Sequence, residues 1–375
     1  MHFRSILALL VLAAPASVAA QSPFAGDAGV SSGLIYKRYS FGSTYPTKNV
    51  EQIAVPFGVV IPVGQQFSVD IGTYYASTKA HDAATGDAHT LDGFTDTQVR
   101  GSYVFGNDRL VLSLMLNLPT GAEKQTQEEL DVSSAIASNF LLFPVASYGN
   151  GFSGTLGAAV AIPAGGWNLG LSASGRLSAK YQPYDDPDTA ISNLRYKPGF
   201  EGRVRVGADH LIGASRLSLG FTLSTFSNDQ ATGGGSPGAF SPATRYISQV
   251  SLTSPIGSNS LAVYAWDYYR SSSKSDSLVG FSSKENIFTV GAQLGIQAGP
   301  KVTIQPLIEA RVLGSAPASG SGFLFGGGAT ARVEVAPRFS LIPGARYDTG
   351  HINSTAVGKP SVTGFEGSLR LRYAL

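Results

Sequence analysis

The sequence predicts an all-β fold: a transmembrane, antiparallel up-and-down β-barrel of about 16 strands, with 14 as the alternative count. Three observations carry the prediction. Period-two alternation of apolar and polar residues runs from about residue 29 to the last residue. Short turns and long polar loops alternate along the chain, seven of one against eight of the other. The first 20 residues form a secretory leader.

The leader places Arg4 before an apolar core from Ile6 to Ala14 and a small-residue cleavage site at Val18-Ala19-Ala20. Residues 1–20 are expected to be removed and 21–375 to form one barrel domain. Tight turns then recur at 61–66, 105–109, 162–167, 211–216, 255–260, 297–301 and 335–338. Between them lie Ser-, Asp-, Gly- and Thr-rich segments, the longest from Thr120 to Asn150. Transmembrane barrels sort their loops by side in this way, whereas a soluble sandwich has no reason to.

Within the strands one parity is apolar. Leu110, Leu112, Leu114, Leu116 and Leu118 form one row, and Trp167, Leu169, Leu171, Ala173 and Leu177 another. Around Gly299-Pro300, Phe288 to Ile296 and Val302 to Val312 repeat the pattern, with Thr289, Gln305, Glu309 and Arg311 on the opposite face. Lipid offers no hydrogen bonds, so the sheet must close on itself and turn its apolar face outward. The C-terminal strand keeps the rule, with Phe365, Leu369, Leu371, Tyr373 and Leu375 outward and Glu366, Arg370 and Arg372 inward. It is similar to the terminal strand that outer-membrane barrels present to their assembly machinery, with Leu375 in place of the usual aromatic.

Composition narrows the function classes. Only 14% of residues are charged and the net charge is +2, with no basic run interleaved with aromatics, so a nucleic-acid partner is not expected. With no Cys there is no disulfide framework or thiolate metal site, and no cofactor or metal is expected. No catalytic residue stands out. His210 beside Asp209 and His351 near Asp348 are the nearest approach to acid/base pairs, and no nucleophile accompanies either.

Parity assigns a set of charged residues to the lumen: Arg100, Arg176, Lys180, Glu201, Arg203, Arg205, Glu309, Arg311, Arg332, Glu334, Arg346, Asp348, Glu366, Arg370 and Arg372. Lys37, Asp70, Asp96, Asp209, Arg245 and Asp267 fall on the same parity. They read either as a charged eyelet that selects solutes or as a salt-bridge ladder satisfying charges inside the barrel. The 120–150 loop also has two readings. Phe140, Leu141, Leu142 and Phe143 belong either to a constriction folded into the lumen or to an extension of the sixth strand above the membrane, and the extension is the preferred one. The acidic group Tyr184–Asp188 matches no calcium loop, and Ala318–Gly328 precedes no helix that would make it a phosphate cradle.

The segment Gly93–Gly121, with Asp96 at a strand start, a tight turn and a strand closing in Leu118-Pro119-Thr120-Gly121, resembles the outer-membrane proteins of the meta-pathway of phenol degradation. That family is related to the long-chain fatty-acid transporters. The resemblance implies movement of small hydrophobic or aromatic compounds. The Asn-Pro-Ala signature of fatty-acid transporters is missing, and the lumen reads charged.

The sequence therefore points to the outer membrane of a Gram-negative cell and to a porin-like channel for passive uptake of small solutes. One alternative is a transporter of hydrophobic or aromatic compounds with a plugged lumen. Another is a structural or adhesive barrel acting through its loops. Expected partners are outer-membrane lipid, lipopolysaccharide, the barrel-assembly machinery and small-molecule solutes.

Overall fold

The structure, a computed structural model, describes residues 28–105, 109–185, 193–233, 238–275, 284–316, 320–353 and 358–375. The expected leader, residues 1–20, lies outside the described residues, as do residues 186–188 of the acidic group and 318–319 of the glycine run.

The strands, in chain order, begin with β1 (Gly29–Phe41), β2 (Thr47–Val63), β3 (Phe67–Asp82), β4 (Ala88–Phe94), β5 (Thr97–Phe105) and β6 (Leu110–Leu118). After a helix, α1 (Gln127–Ile136), come β7 (Ser153–Ala164), β8 (Trp167–Ser178), β9 (Arg195–Lys197), β10 (Glu201–Ile212) and β11 (Ser215–Phe226). Next are β12 (Asp229–Thr232), β13 (Gly238–Ser241), β14 (Arg245–Ile256), β15 (Asn259–Arg270) and β16 (Lys274–Ser275). The chain ends with β17 (Glu285–Gly299), β18 (Val302–Ala316), β19 (Gly320–Ala336), β20 (Phe339–Asn353) and β21 (Ser361–Ala374).

One sheet contains 17 of these strands among the described residues, all in antiparallel pairs. β4 and β5 both pair with β3, one above the other, so they share a single lane and the wall has 16 lanes. The wall closes where β21 pairs with β1, from Gly29 opposite Ala374 to Phe41 opposite Val362. Closure leaves no free edge at the seam, as a lipid-embedded sheet requires. β9, β12, β13 and β16, which lie in segments whose composition predicts loops, form a second, four-stranded sheet on the long-loop side.

The outward face is apolar and exposed, including Leu112, Leu114, Leu169, Leu171, Phe288, Val290, Leu294 and Ile308. Aromatics band it near both ends: Tyr75 against Phe94 at 5.4 Å on the loop side, and Tyr103 against Phe105 at 4.4 Å on the turn side. An apolar belt between aromatic girdles is what a bilayer selects. β6, with 9 residues, covers about 30 Å at roughly 3.3 Å per residue, enough to cross at a barrel tilt. β2 and β19, with 17 residues each, rise well beyond the membrane. The barrel therefore has a tall wall around its β21–β1 seam and a low wall opposite.

The all-β pattern predicts no helix, but α1 follows β6. It is only 10 residues long and buries Val132 and Ile136, one turn apart, too short a stripe to stand out by periodicity. Its capping box was visible: the Thr126 hydroxyl accepts from the Glu129 N–H at 3.3 Å, and the Glu129 carboxylate accepts from the Thr126 N–H at 2.8 Å.

Candidate functional site: the occupied lumen

The wall is interrupted once in the β4/β5 lane, at Thr95-Asp96, and this break sends the long connection inward. The Asp96 carboxylate accepts from Asn117 Nδ2 at 2.8 Å, from the Gly121 N–H at 3.1 Å and from the Asn150 N–H at 2.8 Å. It thus ties together the two ends of the segment between β6 and β7. The Thr97 N–H donates to the Thr120 hydroxyl at 2.8 Å, and the Asp96 N–H to the Tyr148 carbonyl at 3.0 Å.

The preferred sequence reading, that Phe140 to Tyr148 extend a strand above the membrane, is corrected here. Phe140, Leu141, Leu142 and Phe143 are buried inside the barrel with Val145 and Tyr148. All but Leu142 pack in one cluster with inward residues of the tall wall, among them Ile35, Tyr39, Val50, Leu91, Ile287, Leu313, Leu324 and Ile352. The physical reason is apolar burial: each large side chain contributes about 1.5–3 kcal/mol when removed from water. An extension above the membrane would leave all of them wet.

The segment is also fastened by polar contacts. Gln52 forms a two-way amide pair with Val145, donating to its carbonyl at 2.8 Å and accepting from its N–H at 2.9 Å. Lys37 Nζ donates to the Leu142 carbonyl at 2.9 Å and to Glu366 at 3.0 Å. Arg311 donates to the Phe140 carbonyl. The Tyr148 hydroxyl donates to the Leu91 carbonyl at 3.0 Å, and burial pushes its phenol up, so it stays neutral.

Beneath these contacts lies a closed charge network. Glu309 meets Arg311 and Arg346, each at 2.7 Å, and accepts from the Tyr264 hydroxyl at 2.8 Å. Asp348 accepts from Arg346 Nε and from the Tyr39 hydroxyl, both at 2.9 Å. Inward glycines make room for it. A Cβ at Gly326 would strike the Asp348 carboxylate and stand 2.9 Å from the Arg346 guanidinium, and one at Gly322 would press on the Phe140 ring at 3.2 Å. The glycine run in β19 is therefore a packing feature.

The low wall differs. Its inward positions include Ser113, Thr155, Gly157, Ser172, Ser174 and Thr222, all small, with Arg176, Arg203 and Arg205 among them. Arg203 meets Glu201 at 2.7 Å yet keeps 52% of its side chain exposed, while the Arg311 side chain is 2% exposed. Arg176 reaches the same carboxylate at 3.9 Å. Lower in the barrel, Arg100 Nε donates to Asp70 at 2.6 Å and Arg216 meets Asp209 at 3.2 Å. On the tall wall below the inward segment, Arg332 and Arg370 are exposed and meet no carboxylate within salt-bridge distance among the described residues. Arg372 and Glu334 lie near the turn-side ends of β21 and β19.

Two assignments from parity are corrected. Lys180 lies past the end of β8, exposed in the following connection, because the strand stops at Ser178. Asp267 faces outward, opposite Phe288, and accepts from Asn286 Nδ2 at 2.9 Å. It sits near the loop-side end of β15, where a carboxylate is clear of the hydrocarbon. The His–Asp pairs also separate. Asp209 points inward to Arg216, whereas His210 points outward and stacks on Trp167 at 4.5 Å. Asp348 is inward, and His351 lies outward beside Phe323. Among the described residues no group of three or more His, Asp and Glu side chains is placed to hold a metal ion.

Neither a family model nor a curated protein matches the sequence. Solved structures similar in fold include the TodX deltaS2S3 mutant monoaromatic hydrocarbon channel, at 10% identity over 95% of this chain and 94% of that one, TM-score 0.47. The CymD monoaromatic hydrocarbon channel matches at 10% identity over 97% and 94%, TM-score 0.45. The anion-selective porin from Comamonas acidovorans matches at 11% over 92% and 98%, TM-score 0.40. The assignment rests on the wall itself: a closed barrel of 16 lanes with an exposed apolar belt between aromatic girdles is an outer-membrane β-barrel.

Proposed function

We propose that the chain is a passive diffusion channel for small polar solutes, with a preference for anions. Its path runs beside the inward segment, along the low wall. The observation that supports this reading is the contrast between the walls. Arg311 is sealed beneath Phe140, while Arg203 stands half in water among Ser, Gly and Thr positions. Segment 137–148 then acts as an eccentric constriction, and the exposed Arg203, Arg332 and Arg370 bias the field in the path toward anions. Removal of residues 1–20, insertion by the assembly machinery and contact with lipopolysaccharide complete the proposal.

The apolar core inside the barrel favours a second reading, a plugged transporter of hydrophobic compounds. Planar-bilayer recording separates the two. The channel reading expects steady conductance in KCl and a reversal potential favouring chloride. A barrel with no conductance overturns it, and uptake of aromatic hydrocarbons by such a barrel would establish the second.

A further inference from the structure

Across the loop-side end of the low wall, arginines from four strands stand beside apolar and aromatic side chains. Register fixes the order. Arg176 on β8 lies opposite Glu201 on β10, which lies opposite Phe226 on β11. Arg203 lies opposite Ser224, which lies opposite Arg245 on β14, and Arg245 lies opposite Arg270 on β15. Four guanidinium groups thus share one arc with two carboxylates, Glu201 and Glu285.

Their burial sets which sign faces water. The Glu201 and Glu285 side chains are 9% and 7% exposed, while those of Arg203, Arg176 and Arg270 are 52%, 35% and 33% exposed. The acids lie behind and the forks project forward. Arg245 meets no carboxylate within salt-bridge distance among the described residues, and its guanidinium lies over the Phe226 ring at 4.4 Å. Ile247 follows on the inward face of β14, opposite Tyr268. The arc ends where Asn139 of the inward segment donates to Glu285 at 3.3 Å, so it borders the entrance to the path.

An inorganic anion needs only the charges. A surface that sets Arg forks beside Phe226, Ile247 and Tyr268 suits an anion with a planar head and a flat apolar body, since guanidinium groups bind carboxylate in a bidentate way and stack on rings. We infer that this arc is an entry site for small organic carboxylates bearing an aromatic ring. The inference rests on the channel reading only for its role at an entrance. The binding surface itself stands on the side chains.

Calorimetric titration of the purified full-length protein in detergent tests it, with benzoate as the probe and acetate and benzyl alcohol as comparators. Benzoate should bind more tightly than either. Arg203→Ala and Arg245→Ala should each weaken it by about tenfold, the scale of one charge-assisted hydrogen bond. Phe226→Ala should weaken benzoate and leave acetate unchanged. Arg203→Lys and Arg245→Lys, which keep the charge and lose the fork, serve if the alanine variants fail to fold, and should also weaken benzoate. Benzoate binding that is no tighter than acetate and benzyl alcohol, or that is unaffected by these changes, overturns the inference. Conductance in KCl, recorded on the same preparations, keeps the two proposals apart. A conducting pore whose benzoate binding ignores the arc sinks only the site, and benzoate binding without conductance sinks only the channel reading.

Discussion

Asp96 and Gly121 meet where the wall breaks: the Asp96 carboxylate accepts the Gly121 N–H at 3.1 Å, and the backbones approach so closely that a Cβ on Gly121 would stand 2.7 Å from the Asp96 nitrogen. The strand-start Asp and the Leu-Pro-Thr-Gly ending, separate features in the sequence, are thus one joint, which turns the following chain into the lumen. Asp96→Ala would leave three donors without their acceptor, at a cost of about 1–3 kcal/mol for each one left buried and unsatisfied. Trypsin cleavage after the exposed Lys124 should accelerate; an unchanged rate would show that the joint does not hold the segment.

If segment 137–148 narrows the path, removing residues 122–147 should raise single-channel conductance by about twofold or more, since 16-stranded walls enclose an aqueous channel when unfilled. Unchanged conductance would place the rate-limiting constriction elsewhere.

The Glu309–Arg311 pair is buried on both sides. Arg311→Ala should destabilise the barrel by about 1–3 kcal/mol, because it removes one of the two guanidinium partners of Glu309 and leaves the buried Phe140 carbonyl without its donor. Glu309→Gln combined with Arg311→Met should cost less than Arg311→Ala alone. Urea titration followed by gel mobility measures both.

Gly326→Ala should destabilise by about 1–3 kcal/mol through overpacking against Asp348 and Arg346. Gly299→Ala, where nothing lies within 4 Å, is the matched control, and equal effects of the two would remove the packing explanation.

On the loop side, burial first and then Asp229 raise the Tyr181 phenol to about 12, and Tyr181 packs edge-on against Tyr196 at 5.8 Å. The unfolded phenol titrates near 10. The neutral ring's contribution is therefore intact below pH 10 and is lost as pH rises toward 12. Protection of the β9 and β12 amides, taken relative to the base-catalysed intrinsic exchange rate, should fall in that window and stay constant below it.

The wall was legible in the sequence because lipid imposes one rule on every strand, and rows such as Leu110–Leu118 obey it without exception. The lumen was less legible, because two environments share the inward parity. Low on the wall that parity meets water and is polar. Beside the inward segment it meets protein and turns apolar, as at Ile287, Leu313, Leu324 and Ile352. The signal was there in apolar residues on both parities, Ile287-Phe288, Val312-Leu313 and Phe323-Leu324-Phe325. Read by period alone, these look like strand ends. What sequence could not supply was register: Gln52 gives no hint that its amide pairs with Val145, 93 residues away.

The seam where β21 meets β1 brings the two ends of the barrel together, and the inward segment is bonded on both sides of it, to Lys37 on β1 and to Arg311 on β18. The contacts on β1 and those on β18 face one segment together only after the seam has formed. The segment is therefore fully seated only in the closed cylinder. Once seated, it makes reopening the seam cost the core behind it, so the same element that narrows the path also bolts the cylinder shut.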